Sequence, residues 1–341
     1  MEVCIKKFKL SKIINPIVFA TFRVVFFLMK RNLVAGGAGF IGSHLVDRLM
    51  KLGEYVICLD DLSSGNYSNI KKWEEHKNFK FIEGSILEKY DLKFDVLWHF
   101  ACPASPERYL ENPILTSRIN FEGTLNLLDM ARNQKSEFIF ASSSEVYGNC
   151  NVFPQTEDNL GYLDTKSIKS CYAHGKRLAE TLCFDFQRTY RMNIKVGRIF
   201  NTYGPRLNCS DGRVISNFIN QALQNKPLTI YSNGNQTRSF CFISDVIEAF
   251  ILLNKTNYYN PINIGNSDEI TILDLAKCID KKISFSQNYS FDEEKVDETF
   301  RRCPSLKIVN KILNWQPLTS LSDGLDLTIN YFKDVYIIKI K

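Results

Sequence analysis

The sequence predicts an α/β fold in which a doubly wound parallel sheet is joined by a smaller, interleaved α/β domain. Two observations support this prediction: short apolar strands alternate with amphipathic helices between residues 31 and 199, and a glycine-rich turn directly follows the first strand. Alternation of this kind is typical of a parallel sheet covered by helices on both faces. With 45% hydrophobic and 23% charged residues, the 341-residue chain has the composition of an ordinary globular protein.

The predicted elements follow one another in a regular order. The first half is predicted to contain the strand Asn32–Val34, the turn Gly36–Gly42, the helix Ser43–Leu52, the strands Tyr55–Leu59 and Asp95–Phe100, the helix Pro113–Arg132, the strand Glu137–Ala141, the helix Tyr172–Tyr190 and the strand Ile194–Ile199. The second half is predicted to contain the helix Val214–Gln224, the strand Leu228–Tyr231, and the helices Ser244–Leu253 and Ile272–Lys281. Between Lys282 and Ser320 we expect an irregular chain.

The turn after the first predicted strand carries a dinucleotide-binding pattern. Gly37, Gly39 and Gly42 form G-x-G-x-x-G, and Gly36 extends it. Glycines allow a sharp turn, close approach of the backbone to a diphosphate, and tight packing of helix on sheet, while the helix N-terminus offers N–H groups to the phosphates. Asp60 ends the next strand near the ~20-residue offset expected for an acid that binds the ribose of NAD and disfavours NADP. The alternative is a purely structural turn, with Asp60 capping its strand.

A tyrosine and a lysine form a second candidate site. Tyr172 and Lys176 are spaced i, i+4 and therefore lie on one face of a predicted helix. The ammonium is expected to lower the pKa of the tyrosine from ~10 toward working pH, so that it can take a proton from an alcohol while hydride passes to a nicotinamide. Alone, this spacing is more often a helix-surface pair. The serine-rich run Ser142–Gly148 follows a predicted strand, where parallel sheets bind their ligands.

Several runs resemble known families. Ala35–Gly42, Ser142–Gly148, Tyr172–Lys176 and Asn201–Arg206 appear in the order found in extended short-chain dehydrogenases/reductases. More specific runs resemble the UDP-glucuronate decarboxylases, namely His99–Pro106, Asp211–Phe218, Gln236–Phe240, Arg301–Ser305 and Leu313–Pro317. The resemblance covers the chain from Met29 to Phe332.

The resemblance implies a three-step cycle on bound NAD. Tyr172, with Lys176 beside it, takes the proton of the C4 hydroxyl of UDP-glucuronate as hydride passes to NAD. The C4 ketone lies β to the carboxylate, so carbon dioxide leaves with the electrons delocalised into the ketone. Reduction by the same NADH gives UDP-xylose and regenerates NAD.

The resemblance also implies roles for individual residues. The position of Ser143 holds the C4 oxygen, and Ser144 and Glu145 lie beside the sugar ring and its carboxylate. Arg302 faces the sugar or its acid group, which a bidentate guanidinium suits, although a solvated charge in a loop is the alternative. The implied catalytic residues are Tyr172, Lys176, Ser143, Ser144, Glu145 and Arg302. The implied cofactor-binding residues are Gly36, Gly39, Phe40, Ile41, Gly42, Asp60, Ser85, Ile86, Ala101, Tyr172 and Lys176. The implied substrate-binding residues are Ala104, Tyr109, Asn201, Arg213, Arg238 and Arg302.

Three other functions are weighed against this one. A sugar 4,6-dehydratase needs an acid–base pair in the serine loop, but Ser144 stands where such enzymes carry Asp. A 4-epimerase is the second alternative, although an acid at the position of Glu145 is unusual there. A non-catalytic NAD-binding or RNA-associated scaffold is the third, and the presence of Ser143, Tyr172 and Lys176 argues against it.

The chain is predicted to have three parts and to form a two-fold dimer. The three parts are an N-terminal extension (1–28), an NAD-binding Rossmann domain (29–205) and a mainly substrate-binding domain (206–335), from which residues 240–268 return to the Rossmann part. The helices Pro113–Arg132 and Tyr172–Tyr190 resemble the pair through which these enzymes form two-fold dimers. We therefore expect a homodimer.

Charge and cysteine content limit the partners and the cellular location that we expect. The formal net charge is +6, but residues 1–28 hold five basic and one acidic side chain, so the rest is nearly neutral and no nucleic-acid partner is expected. None of the ten cysteines forms a C-x-x-C pair or a Cys/His cluster with zinc spacing. We therefore expect no metal site and a reducing, cytoplasmic location.

The N-terminal segment is apolar after a basic start. Residues 13–29 are interrupted by Pro16 and Arg23 and fall short of the ~20 clean residues of a spanning helix, so membrane contact is not expected. The segment is interpreted as a weak membrane anchor, a disordered or docked arm, or the result of a start codon placed too early. We favour the third interpretation because Met29 directly precedes a basic pair and the first strand.

Overall fold

A computed structural model describes residues 29–209, 211–283, 288–293 and 300–340. The predicted extension over residues 1–28 lies outside the described residues. The strands are β1 Arg31–Ala35, β2 Tyr55–Asp60, β3 Phe79–Glu83, β4 Val96–His99, β5 Glu137–Ser143, β6 Ile194–Ile199, β7 Thr202–Tyr203, β8 Leu228–Tyr231, β9 Thr237–Ser239, β10 Cys241–Phe242, β11 Ile262–Ile264, β12 Glu269–Thr271, β13 Tyr289–Asp292 and β14 Arg301–Arg302. The α-helices are α1 Phe40–Lys51, α2 Pro106–Glu111, α3 Pro113–Arg118, α4 Thr124–Gln134, α5 Ser170–Tyr190, α6 Val214–Leu223, α7 Ile243–Asn254, α8 Ile272–Ile283, α9 Lys307–Leu313 and α10 Leu321–Ile340.

Seven strands form one parallel sheet in the order β11-β6-β5-β4-β1-β2-β3. Strand β1 lies between β4 and β2, so the chain crosses over in opposite directions on its two sides. Such a reversal opens a crevice beyond the carboxyl ends of the strands. Strands β1, β2 and β4 are buried along most of their length, because helices cover both faces of the sheet. The predicted doubly wound α/β fold is confirmed.

Helix α1 begins at Phe40, three residues before the predicted start. Gly39 is extended and caps the helix without a side-chain hydrogen bond. The predicted core stripe is present, since Leu45 and Leu49 are buried, whereas Leu52 lies just past the helix and is 45% exposed. The apolar pattern identified the packed face and missed the first turn, because the glycines before it have no side chains to form a pattern.

The prediction of one continuous helix over Pro113–Arg132 is wrong. This stretch is divided into α3, a π-helical turn over Ile119–Gly123, and α4. Within the turn, the side-chain amide of Asn120 donates to the carbonyl of Thr116 (2.9 Å), which competes with the backbone ladder. Strand β3 and helix α2 were not predicted; β3 is an edge strand in which only Phe79 is buried, so it lacks a clear apolar pattern.

The prediction of an irregular chain between Lys282 and Ser320 is wrong. This stretch contains β13, which pairs with β8, then β14, which pairs with β9, and then α9. The two strands are only four and two residues long, so their own sequence carries little pattern. They are fixed by partners far away along the chain. Of the helices in the described part of the chain, none combines the length and apolar character needed to cross a membrane.

Candidate active site

A cavity of about 960 Å³ opens beyond the carboxyl ends of the central strands. Every predicted site residue lines it, on the cofactor side, the sugar side or between the two. They are Gly36, Gly39, Phe40, Ile41, Gly42, Asp60, Ser85, Ile86, Ala101, Ala104, Tyr109, Ser143, Ser144, Glu145, Tyr172, Lys176, Asn201, Arg213, Arg238 and Arg302. The structure therefore brings together residues that are scattered over most of the chain.

The glycine turn forms one wall of the cavity. Gly36 has a φ of +78°, and a Cβ atom there would lie 2.6 Å from the backbone nitrogen of Ala101. A Cβ atom at Gly42 would lie 2.0 Å from the carbonyl oxygen of Gly36. These close approaches leave the N-terminus of α1, which no side chain caps, at the cavity wall. The turn therefore fits the diphosphate of NAD, which Phe40 and Ile41 would meet with backbone N–H groups.

Asp60 lies at the end of β2 beside this turn. Its carboxylate accepts hydrogen bonds from the backbone N–H groups of Ala38 and Leu62, both at 2.9 Å. Burial raises the pKa of Asp60, and the backbone hydrogen bonds oppose the rise. Asp60 thus has a structural role at the turn. It also lines the cavity, where it could bind a ribose hydroxyl.

Tyr172 and Lys176 lie on one face of α5, as predicted. The Ser143 hydroxyl lies close enough to the buried Tyr172 phenol to favour its ionised form, and the Tyr172 ring stacks on that of Tyr109, with centroids 5.0 Å apart and planes inclined by 9°. Lys176 Nζ donates to the carbonyl of Ala141 (3.0 Å) and lies 5.9 Å from the Tyr172 ring centroid. The end of β5 and the first turns of α5 therefore place a hydroxyl pair and an ammonium together.

The pKa of Tyr172 is raised in the structure, whereas the i, i+4 spacing predicted that Lys176 would lower it. Burial raises the pKa of Tyr172, the neighbouring Cys102 thiol adds to the rise, and the Ser143 hydroxyl only partly opposes it. Burial also lowers the pKa of Lys176. The lysine is directed to a backbone carbonyl rather than to the phenol, so desolvation of the phenolate dominates.

The acidic residue of the serine loop is paired with an arginine from the far end of the chain. Glu145 and Arg302 form a bidentate ion pair, in which one N–H···O contact is short and the other is 3.3 Å. Arg302 also donates to the Ser144 hydroxyl (3.3 Å). Burial opposes ionisation of Glu145, yet Arg302, with Lys169 and Arg238 at longer range, holds the pKa of that carboxyl below its usual range. The pair is charged and internally balanced.

The remaining substrate-side residues are held by local contacts. Asn201 donates to the carbonyl of Ser239 (3.3 Å), and Arg238 donates to the carbonyl of Thr237 (2.8 Å). Arg213 forms an ion pair with Asp211 (2.7 Å). Further cavity residues that the sequence did not single out are Cys102, Lys169, Arg206, Thr229 and Tyr231. Lys169 could have been found from its spacing, because it lies three residues before Tyr172 and seven before Lys176 and therefore falls on the same helix face.

Together, the seven-stranded parallel sheet, the glycine turn and the Tyr172–Lys176 pair define an extended short-chain dehydrogenase/reductase. The sequence comparison agrees with this class. The chain belongs to the NAD dependent epimerase/dehydratase family, whose model matches residues 32–265.

Individual relatives are more specific. The chain is 41% identical to UDP-glucuronic acid decarboxylase 1 of Xenopus tropicalis, over 89% of this chain and 72% of the relative. It is 43% identical to UDP-glucuronic acid decarboxylase 6 of Arabidopsis thaliana, over 89% of both. Among solved structures, UDP-glucuronic acid 4-epimerase from Bacillus cereus in complex with UDP-glucuronic acid and NAD has a TM-score of 0.81 at 30% identity, covering 90% of this chain and all of that one.

Proposed function

We propose that the protein decarboxylates UDP-glucuronate to UDP-xylose through a C4 ketone, with NAD as the bound cofactor. The observation that carries the proposal is the juxtaposition, in one cavity, of the Tyr172 and Ser143 hydroxyls and the Glu145–Arg302 ion pair. The first suits oxidation of an alcohol, and the second suits a substrate that carries a carboxylate. The similarity to UDP-glucuronic acid decarboxylases supports the same substrate.

Tyr172 and Ser143 would handle the proton of the C4 hydroxyl. Because burial raises its pKa, the phenol must lose its proton before it can act as a base. The Ser143 hydroxyl favours the phenolate, and Lys176 provides positive charge nearby. When bound, NAD accepts hydride from C4 and returns it after the loss of carbon dioxide.

The ion pair would govern the carboxylate of the sugar. A lone arginine would bind a carboxylate tightly and so stabilise the acid relative to the transition state in which its charge moves away. Glu145 balances the charge of Arg302, so the guanidinium can orient the acid by hydrogen bonds without trapping it. The electrons of the breaking bond pass to the C4 ketone, whose oxygen lies with Tyr172 and Ser143.

The test is product analysis with purified protein, NAD and UDP-glucuronate labelled with ¹³C at C6. We expect labelled carbon dioxide and UDP-xylose by mass spectrometry. An acid sugar of unchanged mass with inverted C4 would instead identify a 4-epimerase, the activity of one structural neighbour. Labelled carbon dioxide together with a keto pentose would show that the protein decarboxylates the substrate but does not carry out the final reduction.

A homodimer and a cytoplasmic location belong to the same proposal. The helical pair expected to form the dimer carries exposed apolar side chains, with Ile114 75%, Phe121 40% and Leu178 43% exposed. The nine cysteines in the described residues are free thiols, which suits a reducing compartment. We also retain the division into a cofactor-binding part (29–205) and a mainly substrate-binding part (206–335), from which residues 240–268 return to the cofactor-binding part. Strand β11, within that segment, extends the main sheet.

A further inference from the structure

A buried polar network lies directly behind the active site. Its members are Ser142, Tyr147, Glu180, Arg198 and Asn263, which we call the rear network. Four of them are at most 6% exposed, and the side chain of Arg198 is 12% exposed. Ser142 borders the cavity, whereas the other four lie outside its lining. The proposed chemistry makes no direct use of this network.

Arg198 is the centre of the rear network. Its Nε and Nη2 atoms donate to the two carboxylate oxygens of Glu180 at 3.0 and 2.8 Å. Its Nη1 atom donates to the hydroxyl of Tyr147 and to the carbonyl of Glu157, both at 3.0 Å. Ser142 lies opposite Arg198 in the β5–β6 register and donates a short hydrogen bond to Glu180. The guanidinium therefore fixes three separate segments at once.

Two of the segments that the rear network connects, β5 and α5, carry candidate catalytic residues. Ser142 directly precedes Ser143 at the end of β5. Glu180 lies one helical turn after Lys176 and two turns after Tyr172 on α5. A shift of Glu180 relative to Ser142 would therefore change the distance between the Ser143 hydroxyl and the phenol of Tyr172.

The network also reaches the ion pair at the sugar end. The Tyr147 hydroxyl donates to Asn263 (2.6 Å), and the Asn263 amide donates to the carbonyl of Gln155 (2.9 Å). The backbone N–H of Gln155 then donates to the carbonyl of Cys303 (2.8 Å), the residue after Arg302. One chain of hydrogen bonds thus connects the oxidation residues to the arginine of the proposed carboxylate site.

Physical chemistry favours a geometric role for such a pair over a stabilising one. Desolvation of two buried charges offsets much of their attraction, so a buried ion pair contributes little net stability. Its bidentate geometry, in contrast, is highly directional. A misplacement of about 1 Å at a reacting centre is sufficient to cost about 100-fold in rate.

We infer that Arg198 is a positioning residue: through Glu180 and Ser142 it holds the Ser143 hydroxyl against the Tyr172 phenol. The inference rests on the oxidation step of the proposed function and not on the decarboxylation. It therefore predicts a defect in the rate of C4 oxidation, with little change in the binding of UDP or NAD.

The test compares Arg198→Met, Arg198→Lys and Ser142→Ala as full-length proteins. NAD reduction is followed at 340 nm in a single turnover with saturating UDP-glucuronate, and the dissociation constants of UDP and NAD are measured by calorimetry. We expect Arg198→Met to slow reduction by about 100-fold, Arg198→Lys to recover part of that rate, and both dissociation constants to change by less than about threefold. Ser142→Ala, which leaves the ion pair in place, should slow reduction by about tenfold.

Arg48→Met is the matched control. Arg48 forms a bidentate pair with Glu248 between α1 and α7, outside the cavity lining. We expect this variant to reduce NAD at the wild-type rate. If Arg198→Met does not fold, Ser142→Ala decides. Wild-type rates in both Ser142→Ala and any folded Arg198 variant would overturn the inference, as would equal losses in rate and in nucleotide binding.

The proposed function can fail separately. A wild-type protein that reduces NAD with UDP-glucuronate but releases no carbon dioxide would contradict the decarboxylase proposal. The positioning inference could still be tested, because its readout is the rate of C4 oxidation. If UDP-glucuronate gives no reduction, the same comparison is made with UDP-glucose, whose C4 hydroxyl is oxidised by the same tyrosine chemistry, and a wild-type protein inert to both overturns the inference.

Discussion

The cofactor side and the sugar side of the cavity are built in different ways. The cofactor side is a contiguous turn, Gly36–Gly42, whose backbone groups and missing side chains make the binding surface. The sugar side depends on side chains brought from afar, such as Glu145 and Arg302, which are 157 residues apart in the chain. The comparison teaches that backbone-built sites are encoded locally, whereas charge-balanced sites depend on the completed fold. Four experiments test that difference.

The largest effect is expected where the two sides meet. Tyr172→Phe keeps the ring that stacks on Tyr109 and removes the hydroxyl that lies beside Ser143. We expect kcat to fall by about 1,000-fold, with the dissociation constants of NAD and UDP unchanged within about threefold. Steady-state carbon dioxide release and calorimetry check this. Retention of more than about a tenth of the rate would contradict the assigned role.

The next experiment breaks the cofactor side alone. Gly36→Ala adds a Cβ atom 2.6 Å from the backbone of Ala101, at a φ of +78°. We expect NAD affinity to fall by about 100-fold and UDP affinity to be nearly unchanged, because the turn can no longer approach a diphosphate. Gly53→Ala is the control, since Gly53 has a φ of +80° with nothing within 4 Å of the added atom. Equal losses in both variants would show that backbone strain, not the clash, is responsible.

A third experiment breaks the sugar side alone. Glu145→Gln leaves Arg302 without its balancing carboxylate. We expect KM for UDP-glucuronate to fall about tenfold and kcat to fall about 100-fold, because the acid is now held too tightly in the ground state. Glu269→Gln is the control, since Glu269 pairs with the adjacent Arg301 outside the cavity lining. A rise in KM with unchanged kcat would refute the balancing role.

The smallest effect concerns the contact that joins α1 to the loop after β7. The Nε2 atom of His44 lies 2.9 Å from the carbonyl of Pro205, and burial with the nearby Arg206 lowers the pKa of His44 to about 4. The imidazole is therefore neutral at neutral pH and donates through Nε2. The unfolded chain binds the proton at a pKa of ~6.5, so stability falls as the pH drops below that value and stops falling below about 4.

Urea unfolding measures this effect. Between about pH 7.5 and about pH 5, we expect His44 to account for a loss of about 2 kcal/mol in the free energy of unfolding. His44→Gln keeps a donor for the carbonyl and has no titration in this range, so its stability should depend less on pH by that amount. Identical pH dependence in the two proteins would show that His44 does not titrate as inferred.

Much of the fold was predictable because strands and helices leave local patterns. Strands β6 and β8 were predicted at their observed bounds, and α5 began two residues before its predicted start. Strands β13 and β14 were missed, because such short segments become strands only through pairing with β8 and β9. Most of the cavity residues given a role were predicted by motif, whereas Arg206 ended the run Asn201–Arg206 but was given no role. It is held at the cavity by an ion pair with Asp47 of α1.

The sequence by itself determined the parallel sheet, the glycine turn and the spacing of Tyr172 and Lys176, because each of these follows from neighbouring residues along the backbone. Tertiary structure alone decided that Glu145 meets Arg302, that Arg198 ties α5 to β5, and that the pKa of Tyr172 rises rather than falls. The physical reason is that ion pairing and desolvation act through space. Their sign depends on which groups the completed fold encloses together.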